Sequence, residues 1–346
     1  MKALVYERPG HRVWRDVTQP GLLEPTDAIV RVDAVTICGT DLHILKGDVP
    51  TVESGRILGH EAVGTVAEVG AGVGLVAPGQ RVLVSCISAC GRCRYCRSAS
   101  YGQCIGGGGW ILGHRVDGTQ AEYVRVPFAD HSLHPLPDGV SDEAAVLLAD
   151  ILPTSYEVGV RNGGVQPGDT VVVVGAGPIG LAAILAARLY SPSHIVAVDL
   201  AQPRLDAATR FGADLVASPQ QGVVGLVREL TGGLGADVAI EAVGVPETFE
   251  LCTTLVRAGG HVANVGVHGK PATLHLEDLW IRNVTVTTGL VDTYSTPTLL
   301  RMLAAGRLDV SAFVTHRFTL DQMPEAYDVF ADPQNSGALK VVLTRQ

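Results

Sequence analysis

The hydrophobic pattern changes character once, near residue 153. Before that point, short alternating or β-branched apolar runs are broken by Gly and Pro, as in "AIVRVDAVTI" (28–37), "QRVLVSC" (80–86) and "QAEYVRVP" (120–127). Alternation bounded by turn residues predicts strands, so this part reads as mainly β with long loops. Beyond Pro153 the runs become fully apolar and alternate with helical segments. "TVVVVGAG" (170–177) predicts a strand, "PIGLAAILAARLY" (178–190) a helix, "HIVAVDL" (194–200) a strand, and "RLDAATRFGA" (204–213) a helix closed by Gly212. "ADVAIEAVG" (236–244), "GHVANVGV" (260–267) and "NVTVTTGL" (283–290) supply further strands, with helices around 224–230 and 248–256. Apolar strands alternating with helices imply a parallel sheet covered on both faces. The tail carries two helices, "PTLLRMLAAG" and "MPEAYDVF", and a last strand, "ALKVVLT".

A chain of 346 residues exceeds one typical core, so two domains are expected. Hydrophobic residues make up 47% and charged residues 18%, a globular composition. The net charge of −9 argues against nucleic-acid binding, which needs a basic face. The longest apolar run, Val171–Ala187, contains three glycines and a proline and reads as strand, turn and helix rather than a membrane span. The start of the chain has no apolar stretch suited to a signal peptide, so a soluble cytoplasmic protein is expected. Seven cysteines, an odd number, argue against a disulfide framework.

Within that run, Gly175, Gly177, Pro178, Ile179 and Gly180 form G-x-G-x-x-G at a strand-to-helix turn. Gly175 permits the turn, Gly177 lets a pyrophosphate approach the backbone, and Gly180 lets helix pack on strand. The next strand ends in Asp199, where a carboxylate accepts from an adenosine ribose and repels a 2′-phosphate. NAD is therefore expected over NADP, although Arg204 nearby could hold a phosphate. Val265 is a further candidate cofactor contact.

"CGRCRYCRSASYGQC" spaces Cys90, Cys93, Cys96 and Cys104 as C-x2-C-x2-C-x7-C. Four thiolates close a tetrahedral structural zinc site, although an iron–sulfur cluster takes similar ligands. Cys38, in "TICGTDLH", and His60, in "ILGHEAVG", lie apart from this loop. Asp150 interrupts the apolar stretch "AAVLLADILPTSY", which offers it neither a cation nor donors. Cys38, His60 and Asp150 together would leave one position open on a catalytic zinc with little net buried charge. Singly, each has a bland alternative: a small core residue, a satisfied core histidine, a helix-terminus carboxylate.

The combination "CGTDLH", "GHEAVG", the four-cysteine loop, "ADILPT", "VGAGPIG" and "VDL" resembles the zinc-dependent medium-chain alcohol dehydrogenases over essentially the whole chain. "GTQAEYVRVP" and "ANVGVHGKP" resemble their secondary-alcohol and formaldehyde-dehydrogenase-like branch. The resemblance implies an α/β architecture: a GroES-like β-rich catalytic domain at 1–153 and 291–346, and a doubly wound Rossmann domain at 154–290. The structural-zinc lobe would span about 86–105, and the active site would lie in the cleft between domains. The resemblance further implies reversible hydride transfer between an alcohol and NAD, with two zinc ions per chain. Cys38, His60 and Asp150 match the catalytic ligands, Glu61 an alternate ligand, and Asp41 the partner of the ligand histidine. Thr40 matches the hydroxyl that takes the substrate proton and His43 its outlet to solvent. Thr154 matches a nicotinamide contact, Lys340 a pyrophosphate contact, and Ile87 and Trp110 the substrate pocket. Where some relatives carry an Arg pyrophosphate contact, this chain has Gly39. A homotetramer, or a dimer, is implied, with a small-molecule alcohol, aldehyde or ketone as substrate. The alternatives are a polyol, threonine or formaldehyde dehydrogenase, or a non-catalytic NAD-binding protein of crystallin type.

Overall fold

The computed structural model describes residues 1–345. The chain divides into two compact units, Met1–Pro153 with Val291–Gln346, and Thr154–Leu290. Among the described residues no helix is long and apolar enough to cross a membrane.

The first unit is built on a seven-stranded mixed sheet and a separate N-terminal hairpin, Lys2–Arg8 with His11–Asp16. The strand Ala28–Thr36 is central, pairing with Ala62–Val69, Tyr123–Val126 and Lys340–Thr344. The last strand of the chain therefore closes onto one of the first. The predicted strand at 120–127 is shorter, Tyr123–Val126, because Gln120 and Ala121 bond instead to the segments at Leu58 and Ala3. A large apolar cluster packs this unit, including Leu4, Val30, Ile37, Leu58, Leu112, Tyr327 and Val341, beside a small one of Ala3, Val5, Ile57 and Ala121. The cysteine loop stands out from it. Reciprocal Ser88–Gly109 backbone bonds close its base, and the short turns Cys96–Ser98 and Tyr101–Gln103 shape it.

The second unit is a six-stranded parallel sheet. Its order is Leu215–Ala217, His194–Val198, Thr170–Val174, Ala236–Glu241, Val256–Asn264, Thr285–Thr288. Thr170–Val174 is buried along its whole length, as expected of an inner strand. The strand predicted at 260–267 begins earlier, at Val256, straight after the helix Pro246–Leu255. Arg257, Gly259 and Gly260 hide its first half from an apolar-run criterion. A π-helix, Ser155–Arg161, was not predicted; its residues are buried nearly all round, so it has no amphipathic period to read.

Candidate active site and metal centres

The eight-residue helix Gly39–Lys46 fixes the first candidate ligand. Cys38 is its N-cap, in extended conformation, and Asp41 reaches back to accept from the Cys38 backbone N–H at 2.9 Å. Gly47 ends the helix at φ +89°, so "CGTDLH" folds as one capped unit with the Cys38 thiol at its start. His60 enters from a loop after Gly59, and Asp150 follows the buried turn Val146–Leu148.

These three segments converge. One ligand atom from each of Cys38, His60 and Asp150 lies within 4.8 Å of the others. Asp150 Oδ2 is 3.5 Å from Cys38 Sγ and 3.3 Å from His60 Nε2. Zinc bonds of about 2.0–2.3 Å in a tetrahedron put neighbouring ligand atoms roughly 3.3–3.8 Å apart. The donors thus match a zinc centre in chemistry and in spacing. Their electrostatics agree, because the cluster gathers anions around one point. Burial and the charge of Asp150 push the Cys38 thiol up. Burial alone would lower His60, but bonds to Asp150 and Cys38 raise it well above its ordinary value.

The surrounding residues hold this centre. Asp41 Oδ1 faces His60 Nδ1 at 3.9 Å, beyond hydrogen-bond reach. Thr40 Oγ1 is 3.6 Å from Cys38 Sγ. His43 Nδ1 pairs with Asp48 at 2.8 Å on a half-exposed turn. Trp110 stands edge-on to His60, with ring centroids 6.4 Å apart, and stacks on His114 at 4.5 Å. Ile87, the other residue expected at the substrate pocket, is fully enclosed by protein.

Glu61 and Lys340 form a buried pair that the sequence did not indicate. Lys340 Nζ donates to Glu61 Oε2 at 2.8 Å and to the Ile37 carbonyl at 3.0 Å, with both side chains only 1% exposed. The ammonium that the resemblance assigns to a pyrophosphate is paired here with a carboxylate of its own unit. Glu61 stands outside the three-donor cluster, and its Oε1 is buried with no hydrogen bond. Both groups of the pair are raised. Burial raises Glu61, and repulsion from Asp150 adds to it against the pull of Lys340. Burial would lower Lys340, but Glu61 and then Cys38 raise it. The ammonium gains from every anion nearby, whereas the carboxylate is also repelled by one.

Cys90, Cys93, Cys96 and Cys104 form the second cluster, again within 4.8 Å. The Cys93–Cys96 and Cys90–Cys96 sulfurs are 3.5 and 3.9 Å apart, near the edge of a four-thiolate zinc tetrahedron. The Cys96 backbone N–H leads the donors that lower Cys93 to about 6. Burial and bonds to Cys93 and Cys104 lift Cys96 to about 12. The loop already stabilises negative charge on part of the cluster.

In the second unit Gly175 adopts φ +100°, and a Cβ on Gly180 would lie 1.7 Å from the Gly175 carbonyl oxygen. Both glycines are required by the turn, whereas a Cβ on Gly177 would meet open space. Pro178 opens the helix Pro178–Arg188, and the carbonyl of Ile179 accepts from Ser155 Oγ at 2.9 Å. Asp199 accepts from the Ala176 and Ala201 N–H groups at 2.8 and 2.9 Å, with Arg204 3.8 Å away. Thr154 and Val265 are half-buried, and Val265 N donates to the Glu241 carbonyl. Glu241, absent from the sequence reading, ends its strand fully buried. Its Oε1 accepts from Val243 N, Gly244 N and Thr248 Oγ1 at 2.7–2.9 Å. A carboxylate closing the apolar strand "ADVAIE" is the same kind of signal that Asp150 gave.

The family model described as alcohol dehydrogenase GroES-like domain matches residues 24–138, and that described as zinc-binding dehydrogenase matches 178–305. An alcohol dehydrogenase of Cupriavidus necator is 38% identical, over 99% of this chain and 98% of its own. The apo structure of zinc-dependent alcohol dehydrogenase 2 from Streptococcus pneumonia superposes with a TM-score of 0.96 at 48% identity, over 100% of this chain and 99% of the other. An alcohol dehydrogenase from Thermus sp. ATN1 superposes with a TM-score of 0.93 at 38% identity, over the full length of both.

Proposed function

The chain belongs to the zinc-dependent medium-chain alcohol dehydrogenases, zinc- and nicotinamide-dependent oxidoreductases, and from that premise we propose that it interconverts a small primary or secondary alcohol and its carbonyl compound with NAD, using two zinc ions. The observation that carries this reading is the Cys38, His60 and Asp150 donor set at tetrahedral spacing, with the Thr40 hydroxyl beside it.

Cys38, His60 and Asp150 would hold the catalytic zinc, and Cys90, Cys93, Cys96 and Cys104 the structural one. When bound, the catalytic ion supplies Lewis acidity toward the substrate oxygen. Thr40 Oγ1 takes the proton that the alcohol gives up, and His43, half-exposed and paired with Asp48, passes it to solvent. Trp110 presents an aromatic face that favours apolar substituents over the hydroxyls of a polyol. Gly177 leaves room for the pyrophosphate, and Thr154 and Val265 contact the cofactor. Asp199, its oxygens oriented by two backbone N–H groups, supports NAD because a 2′-phosphate would meet a fixed carboxylate.

We extend the proposal to a homo-oligomer, a tetramer or a dimer. Thr285–Thr288 is the outer strand of its sheet, with Trp280 and Ile281 exposed nearby. An edge strand with exposed apolar neighbours favours pairing with another chain.

The test is elemental analysis of carefully prepared protein, joined to a coupled screen of primary, secondary and polyol substrates with NAD and NADP. Two zinc ions per chain and turnover with NAD are expected. One zinc or none, iron in place of zinc, or preference for NADP would contradict the corresponding part.

A further inference from the structure

A buried hydrogen-bonded chain runs from the helix Met323–Ala331 to the three-donor cluster. Tyr327 Oη donates to Gln120 Oε1 at 2.7 Å, and Gln120 Nε2 donates to Asp41 Oδ2 at 3.0 Å. That same oxygen accepts from the Cys38 backbone N–H at 2.9 Å. The other, Oδ1, has no hydrogen bond and faces His60 Nδ1. Tyr327, Gln120 and Asp41 are all buried, so water does not substitute for these partners.

The chain has one polarity. Asp41 Oδ2 accepts from both the Gln120 amide and the Cys38 N–H, so Gln120 presents its NH₂ to Asp41 and its carbonyl to Tyr327. A phenol is the donor that end requires. Burial holds Tyr327 well above its ordinary value, so it keeps that proton. The Arg12 guanidinium lies over the ring, 4.7 Å from its centre. Gly59, directly before His60, is held at φ +93°, and a Cβ there would come within 2.6 Å of Gln120 Cγ. The backbone that delivers His60 is therefore packed against the same glutamine that tethers Asp41.

We infer that Gln120 and Tyr327 are positioning residues for the Cys38–His60–Asp150 metal centre. They act by fixing which oxygen of Asp41 is tied to the Cys38 backbone and which is left toward His60. This rests on the zinc reading above. Outer partners of metal-bound histidines typically change metal affinity or activity by about 10–100-fold when removed.

The test uses Tyr327→Phe and Gln120→Met in the full-length enzyme, each close in volume to the original. Zinc affinity is measured by competition with a chelator, the four-cysteine lobe serving as internal control. The absorption of cobalt at the mixed-donor site is recorded at saturating cobalt. Both variants should weaken zinc at that site severalfold, Gln120→Met more than Tyr327→Phe, and both should shift the cobalt bands. Retention by the four-cysteine lobe should not change. Wild-type affinity and superimposable cobalt spectra in both variants would overturn the inference. If Gln120→Met fails to fold, Tyr327→Phe, which removes one oxygen atom, decides alone. A wild-type enzyme that takes no metal at the mixed-donor site would refute the zinc reading instead.

Discussion

Replacing Lys340 with Met isolates the energetics of the buried pair beside the metal centre. The substitution keeps the length of the side chain and removes its charge. Glu61 Oε2 then loses the ammonium that donates to it, while Oε1 already lacks a donor. Stripping one partner from a buried ion pair costs about 3–5 kcal/mol, because the remaining charge is uncompensated. The carboxyl can escape part of that cost by taking up a proton, since burial and Asp150 already raise it. The penalty therefore has a predictable sign with pH. A folded-state value raised above the unfolded 4.5 favours the fold at low pH, and that advantage is lost as pH rises through the folded value. Removing Lys340 lifts the folded value further, so between the wild-type and variant folded values the variant loses about 1.4 kcal/mol per pH unit relative to wild type. Lys340 in the wild type contributes no slope in this window. Its folded value is raised above 10.5, and its contribution is fully present below that pH. The assay is urea unfolding across a series from about pH 5 to about pH 9, followed by tryptophan fluorescence in a Trp280→Phe background. Trp14 and Trp110 then report on the first unit alone. The deficit should approach about 3–5 kcal/mol at the higher pH and be clearly smaller at the lower. Adding Glu61→Gln should recover most of it at the higher pH. A deficit under about 1 kcal/mol, or one that does not change with pH, would refute the reasoning.

Zinc uptake at the mixed-donor site should release protons near neutral pH, because Cys38 and His60 are both raised and a metal ligand must give up its proton. Apparent affinity should climb with pH by about tenfold per pH unit for each proton displaced, and calorimetry in buffers of different ionisation enthalpy that finds no release would contradict this. Thr40→Ala should lower kcat by roughly 10²–10⁴ while Thr40→Ser retains most activity, and His43→Gln should lose less and change the pH–rate profile. A fully active Thr40→Ala enzyme would remove Thr40 from the proton path. Asp199→Gly should weaken NAD and relieve repulsion of a 2′-phosphate, with Arg204 then free of its carboxylate neighbour. An unchanged ratio of kcat/KM for the two cofactors would count against Asp199 as the discriminating group.

What was legible in the sequence was whatever chemistry keeps within one short segment. The cysteine loop puts its ligands within fifteen residues, and Gly175 to Gly180 form one turn, so spacing alone carries the geometry. The mixed-donor site spans 112 positions between Cys38 and Asp150 and 90 between His60 and Asp150. There the sequence offered a misfit, a carboxylate inside an apolar stretch, with Cys38 and His60 as candidate partners, and the resemblance tied the three together. Lys340 shows what that inference leaves out. The resemblance gives it a pyrophosphate contact, and nothing local reveals the carboxylate 279 positions away with which it pairs. Gln120 and Tyr327 were less legible still. Neither residue type signals a misfit, since glutamine suits a surface and tyrosine a half-buried strand or helix, and their contact spans 207 positions. A buried ionised group betrays itself through its cost, as Asp150 did and as Glu241 could have done. A buried neutral polar group costs nothing visible in the sequence once its hydrogen bonds are made. The residues that orient a metal centre from a distance are mostly of this second kind, so they become readable only when the fold brings donor and acceptor together.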